Sequence, residues 1–242
     1  MRADPASQRR LLELQAVDTA IAQLERKVQT WPIHQTIEGL AARRQSGQDE
    51  SVAARTALSD AEAVRAKAEA DVAPVRERLR RDQKRIHDGT LDAKALTAMI
   101  DEVAHLTTRV AVMEDEELEA MEALERAEAR LARAQGALTA VEADLREALA
   151  QRDQSLDEAR QEMRRHRAQR QALAGRLPDD LVGLYDKLRE RYGGLGAAEL
   201  KGRRCTGCGL EATTADHNRY LAAPPDEVLR CAECQRILVR TG

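Results

Sequence analysis

The chain has 242 residues and is 33% charged but only 2% aromatic, with no Phe and a single Trp. That leaves too little bulky apolar material for a broad three-dimensional core; the abundance of Ala, Arg, Glu, Leu and Gln is instead that of long helices with a narrow apolar seam. A net charge of -3 excludes a global polyanion-binding surface, so any basic site must be local.

Residues 7–31 carry Leu14, Val17, Ile21, Leu24, Val28 and Trp31 at alternating steps of three and four, the spacing that keeps one stripe of a helix facing a partner helix. Pro32 has no N–H and disfavours helix at Trp31, so a break is expected there before Ile33, Ile37 and Leu40 resume an apolar face. The seam returns with Leu58, Ala61, Arg65, Ala68, Val72, Val75, Leu79, Asp82 and Ile86, weakened by its two charged members and bent at Pro74.

His87-Asp88-Gly89-Thr90 is the turn: Gly can take the left-handed conformation after a helix, and Thr90 is expected to cap the next one. A second arm follows through Leu96, Met99, Val103, Leu106, Val110 and Met113, crosses an acidic block from Glu114 to Glu125, and resumes at Leu131, Ala134, Leu138, Val141, Leu145 and Ala148 before ending near Gly175. The arms on either side of the turn are nearly equal, about 120 Å each if fully helical. The expectation is an antiparallel coiled-coil hairpin over residues 1–175 with its tip near 87–91; a parallel dimer of unbroken rods is the alternative. Residues 176–194 are expected to hold a short helix, opened by Asp179 and Asp180, running through Leu181, Tyr185 and Leu188, and closed by Gly193-Gly194. Residues 195–242, with Gly, Pro and Cys punctuation and the apolar run Ile237-Leu238-Val239, read as a small β-rich module. The predicted class is thus mainly α, a helical hairpin with a small C-terminal ribbon.

All four cysteines lie in that module, as Cys205-x2-Cys208 and Cys231-x2-Cys234. Each pair forms a tight knuckle, and two knuckles close a tetrahedron around one ion, so Cys205, Cys208, Cys231 and Cys234 are the candidate ligands of one structural Zn²⁺. Gly207 and Gly209 flank the second ligand, where positive φ is expected. Four thiolates leave no open coordination position for a reactive water, and about forty residues bury too little surface to fold unaided, so the metal-free end is expected to be disordered. Iron in an S4 site and a thiol redox pair are the competing readings of the cysteines; His217 is read as an exposed loop residue and not as a fifth ligand.

The motifs resemble those of the bacterial coiled-coil and C4-type zinc-ribbon family, described as nucleic-acid-binding zinc-ribbon proteins. Cys205-Thr206-Gly207-Cys208-Gly209 and Cys231-Ala232-Glu233-Cys234-Gln235-Arg236-Ile237-Leu238 are similar to its C-x-G-C and C-x-x-C-G-R-I-L motifs, with Gln235 where Gly is usual. Leu177-Pro178, Leu181 and Tyr185 are similar to its L-P-x-x-L-x-x-x-Y helix, and Lys94 to Val103 to its K-E-x-x-A-L-x-x-E-I segment, with Ala95 replacing the acid. The resemblance implies a hairpin with a terminal ribbon, an adaptor role linked to RNA or transcription, and no enzyme activity.

A local basic surface is expected at the hairpin base, from Arg164, Arg165, Arg167 and Arg170 near Arg160, with Arg9 and Arg10 brought alongside by antiparallel pairing; the ribbon adds Lys201, Arg203 and Arg204. The competing reading is a solvated charged face with i,i+4 partners. The ribbon is near neutral once four thiolates surround Zn²⁺, and Tyr220 is its only aromatic, so base-specific readout has no support. Two functions follow: a non-catalytic adaptor for protein partners, or a direct RNA- or DNA-binding protein. No phosphate-binding Gly loop, nucleophile motif, small-molecule site, apolar leader or membrane-spanning run is present in the sequence, and a cytoplasmic location is expected.

Overall fold

The structure is a computed structural model and describes residues 1–241. Its helices are α1 (Pro5–Gln29), α2 (Pro32–His87), α3 (Ala93–Ala174), α4 (Asp179–Arg191) and α5 (Thr214–Ala222); its strands are β1 (Ala197–Lys201), β2 (Arg204–Cys205), β3 (Leu229–Arg230) and β4 (Ile237–Arg240). The chain divides into two compact units, one of residues 35–149 and one combining residues 1–34 with 150–242.

The unit of residues 35–149 is a two-helix hairpin. Every member of the Leu58-to-Ile86 seam and of the Leu96-to-Met113 seam is buried or half-buried, as are Leu131, Leu138, Val141 and Ala148 further along α3. The arms run antiparallel, since Arg44 pairs with Glu142 at 3.5 Å, Glu50 with Arg130 at 2.9 Å, Arg76 with Glu114 at 2.8 Å and Arg78 with Glu102 at 2.7 Å. A Cβ on Gly47 would lie 3.3 Å from Cδ1 of Leu138, a tight crossing between the arms. Helix α2 continues through Pro74, which lies on the exposed side, where water can serve the carbonyl that loses its donor.

At the tip, Gly89 has a φ of 65°, the left-handed conformation its position requires. The cap of α3 is Asp92 and not Thr90: its Oδ1 accepts from the Ala95 N–H at 2.7 Å. Thr90 lies too early in the turn to reach the free N–H groups of a helix that begins at Ala93.

The other unit starts with Asp4, which caps α1 by accepting from the N–H groups of Ala6 and Ser7. Helix α1 stops at Gln29 and Pro32 opens α2, at the break expected beside Trp31, because a missing N–H costs nothing in a first turn. Helix α4 ends at a Gly pair with φ values of 65° and 96°.

The strands form one sheet in the order β2-β1-β4-β3. Its centre is the parallel pair β1 and β4, in the register Ala197 to Ile237 and Ala198 to Leu238, with antiparallel β2 and β3 at the edges. Because successive strand residues point to opposite faces, Ala197, Ile237 and Val239 enter one core with Leu11, Leu14, Leu177, Leu181, Tyr185 and Leu188 of the helices. Ala198, Leu200 and Leu238 enter a second core with Tyr220, Leu229, Cys205 and Cys231. The run Ile237-Leu238-Val239 is therefore a strand buried on both faces.

The β-rich module also contains α5, which the sequence reading did not anticipate, capped by Thr213 through the N–H of Asp216. Its sheet is not free-standing either. The Ala3 N–H donates to the Asp226 carbonyl at 2.8 Å, the Val228 N–H to the Met1 carbonyl at 3.2 Å, and Gln8 Nε2 to the carbonyls of Ala3 and Pro225. The disorder expected of the metal-free end thus has a counterweight, since helical packing covers one face of the sheet without help from the metal.

Candidate metal centre and basic surfaces

Cys205 ends β2 and Cys208 follows in a tight turn; Cys231 follows β3 directly and Cys234 precedes β4. The two knuckles repeat one backbone pattern. The N–H of Cys205 donates to the Leu210 carbonyl and that of Gly209 to the Cys205 carbonyl; correspondingly, Cys231 donates to Arg236 and Gln235 to Cys231. Gly209 and Gln235 occupy equivalent positions, with φ values of 72° and 62°. Gln235 is the one non-glycine residue at positive φ among the described residues, and its side chain is held by the Ala232 carbonyl at 3.0 Å.

Gly207 does not share that conformation, a correction to the sequence reading. It is needed for space: a Cβ there would lie 2.8 Å from Cβ of Ala198 and 3.1 Å from Cδ of Arg236.

The four sulfur atoms all lie within 4.8 Å of one another, with 3.9 Å between Cys205 and Cys234 and 4.0 Å between Cys208 and Cys231. Zn–S bonds of about 2.3 Å in a tetrahedron require sulfurs about 3.8 Å apart, so the donor set fits one zinc ion. As free thiols the ligands differ. Burial pushes Cys205 up to about 12 and raises Cys231, whereas Cys234 is brought down to about 7 against burial, by the backbone N–H and side chain of Arg236. With four thiolates bound, the ion has no site for substrate or water; its role is structural.

Two residues around the centre, Arg236 and Tyr220, have roles that the sequence does not disclose. The guanidinium of Arg236 also donates to the carbonyls of Leu195 and Tyr192 and lies 5.4 Å from the Tyr192 ring centre, tying a knuckle to the end of α4. Tyr220 is buried, and its hydroxyl accepts from the Ala232 N–H at 2.9 Å, so it supports the second knuckle and offers no stacking face. His217 lies on α5, half-buried, with an Nδ1 that has no hydrogen-bond partner among the described residues; it is neither a loop residue nor part of the sulfur cluster.

The basic residues separate. Arg170 is not a surface group: it donates to Asp18 at 2.8 Å and to Asp186, while Asp18, fully buried, also accepts from Tyr185 Oη at 2.7 Å and Arg189 at 3.1 Å. Burial opposes the charge on Arg170, but hydrogen bonds to Asp18 and Asp186 and their charges hold its pKa above the ordinary arginine value. The Tyr185 hydroxyl is pushed well up by burial and by Asp18. A run of arginines in sequence gives no sign of which member turns inward.

Arg167 pairs with Glu25 at 3.4 Å, Arg204 with Glu211 at 3.3 Å, and Arg203 donates to the Ala212 carbonyl at 3.1 Å. Arg164, Arg165 and Lys201 are exposed, with no ion pair among the described residues. Arg9 and Arg10 are exposed too, but not beside Arg164 and Arg165. The pairs Glu25 with Arg167 and Asp18 with Arg170 set the register of α1 on α3, and carry Arg9 past the end of α3 into a groove with Pro225, Leu221 and Arg240. The expected single patch is two.

Comparison with known proteins agrees with this architecture. The profile of the CT398-like coiled coil hairpin domain matches residues 14–193, and that of the C4-type zinc ribbon domain matches residues 204–238. The uncharacterized protein Rv2229c of Mycobacterium tuberculosis is 34% identical over 240 residues, covering 99% of this chain and 98% of its own. A solved structure from Mycobacterium smegmatis has a TM-score of 0.82 at 34% identity, over 99% of this chain and 100% of that one. CT398 from Chlamydia trachomatis shares the fold, with a TM-score of 0.64 at 15% identity over 98% of each chain.

Proposed function

The chain belongs to the CT398-like coiled coil hairpin family, with a C4-type zinc ribbon, and from that premise we propose that it is a non-catalytic, zinc-binding adaptor for protein partners, linked to transcription or RNA. The observation that carries this reading is the tip of the hairpin. There an open groove of about 720 Å³ is lined by Ala95, Ala98 and Met99, by Arg78, Arg81 and Arg85, and by the acids Asp82 and Glu102. Arg78 is held by Glu102, whereas Arg81 and Arg85 have no ion pair among the described residues. Asp82 and Glu102 are taken up by Arg78, so an apolar strip beside the unpaired Arg81 and Arg85 suits an acidic protein segment. The ribbon, closed around its metal, serves as the second docking module. Among the described residues no helix is long and apolar enough to cross a membrane.

Direct nucleic-acid binding is the second reading, favoured by the exposed Arg164 and Arg165. The deciding experiment measures binding of mixed single- and double-stranded RNA and DNA across a salt series, for the intact protein and for one with Arg164, Arg165 and Arg167 replaced by Ala. Tight, salt-steep binding lost in the variant makes the nucleic-acid reading primary. Absence of binding at low salt, with a protein partner that binds the intact chain but not an Arg81→Ala, Arg85→Ala variant, sustains the adaptor.

A further inference from the structure

Helix α3 carries a second stripe beside the seam that holds it to α2. Ile100, Ala104, Thr107, Ala111 and Glu114 each follow a seam residue by one position, and Leu118 and Met121 follow the half-buried Glu117 and the buried Ala120 in the same way; all recur at steps of three and four, so they lie on one flank of the helix. On α2, Glu69, Ala73, Arg76 and Arg80 hold the equivalent positions. The Arg76 to Glu114 pair, at 2.8 Å, shows that both stripes lie on the same face of the hairpin.

That face leaves large apolar groups in solvent: Ile100 is 50% exposed, Leu118 56% and Met121 43%. The opposite face, identified by the Arg78 to Glu102 pair, exposes the smaller Val64 and Val112 and is charged at most of its positions on α2, with Asp60, Lys67, Asp71, Arg78, Arg81 and Arg85.

The order of groups along the face is self-complementary. Ile100 lies toward the tip, Leu118 and Met121 lie about 27 and 32 Å further along α3 at ~1.5 Å per residue, and Ala104, Thr107, Ala111 and Glu114 lie between them. On α2 the tipward end carries Arg76, paired with Glu114, and Arg80, paired with Glu77 at 2.8 Å, and the other end carries Glu69, paired with Arg65 at 2.9 Å; these exposed pairs can be shared with a facing charge. A twofold axis through the middle of this stretch, near Ala111, reverses the order. It sets Ile100 of each copy against Leu118 and Met121 of the other, and Arg80 against Glu69, while the alanines let the two backbones approach.

We propose that this face docks a second copy of the chain, two hairpins overlapping antiparallel at their distal ends in a closed, isologous dimer. The occupant is a second copy because apolar and charged groups alike match under one rotation; an unrelated helix would need neither coincidence.

The test uses the purified full chain alone, and so is independent of the adaptor reading. Sedimentation equilibrium over a concentration series should give a dimer, weakened at least roughly tenfold by Leu118→Asp with Met121→Asp. Val112→Asp, at a residue 53% exposed on the opposite face, should leave the mass unchanged. Unchanged helical circular dichroism shows that each variant folds. A mixture of an Ile100→Cys chain with a Leu118→Cys chain should form a disulfide-linked dimer under mild oxidation, whereas neither chain alone should. A monomer at every concentration, equal dissociation by Val112→Asp, or cross-linking of Ile100→Cys with itself would overturn the proposal.

Discussion

The two compact units are held together in opposite ways. In the hairpin of residues 35–149 the seam is largely alanine and half-buried aliphatic residues, each gaining little, and its ion pairs are solvent-exposed and individually weak. In the other unit a few groups are fully enclosed: Leu11, Leu14, Leu181, Tyr185, Ile237 and Val239 in one core, the Asp18 hub, and four sulfurs on one point. A structure built from many small increments tolerates the loss of any one; a structure built from convergence does not. The same substitution chemistry should therefore cost much more near the ribbon than along the hairpin.

Removing zinc should have the largest effect and also show where convergence stops. Structural zinc contributes on the order of 10 kcal/mol in small modules. After chelation, hydrogen exchange should speed up greatly in the knuckles and α5 but stay slow in β1, β4, α1 and α4, whose shared core holds no metal ligand. Uniformly fast exchange through β1 and β4 would mean that helical packing contributes little. Acid should favour release, because each thiolate must regain a proton as the ion leaves, so zinc affinity should fall as pH falls.

Asp18→Asn should rank next. It leaves Arg170 and Arg189 facing a neutral group but still beside Asp186, a loss of about 2–3 kcal/mol in denaturant unfolding. A cost under about 1 kcal/mol would place the hub among the weak surface pairs.

Gly207→Ala forces a methyl group against Ala198 and should cost about 1–3 kcal/mol, accompanied by faster zinc transfer to a colorimetric chelator. Along the hairpin, Val72→Ala removes a fully buried side chain but should cost only about 1–2 kcal/mol, with exchange rates changed in residues 35–149 alone. Smallest of all, Gln235→Gly relieves a left-handed conformation worth about 1 kcal/mol while losing one exposed hydrogen bond, so the melting temperature should stay level or rise slightly.

The hairpin and the knuckles were legible in the amino-acid order because each is governed by local spacing. Leu58 to Ile86 repeat at three and four, Gly89 marks the reversal, and the cysteine pairs state their own ligand set. What was hidden depends on distant chain. Helix α5 has Tyr220 as its one buried residue, too little to give a period, and it is recognisable only once the second core is assembled. Arg170 is indistinguishable from Arg164 until Asp18 is placed opposite it. Gly207 and Gly209 look alike in sequence, yet one supplies space and the other supplies a positive φ; the difference lies in Ala198 and Arg236.

The hydrogen bond from Gln8 to Pro225 joins residues 217 positions apart. Closing so long a loop from an open chain costs roughly 5 kcal/mol of entropy, to be met before the shared core returns anything. Pairing of α2 with α3 shortens that loop, because the ion pair of Arg44 with Glu142 already brings the two flanks of the hairpin together. The weakly held hairpin is therefore expected to pair first and to act as the chain's folding clamp, with the tightly packed region assembling after it. A substitution such as Val72→Ala, modest at equilibrium, should for that reason slow the appearance of the zinc site during refolding, far along the chain from where it was made.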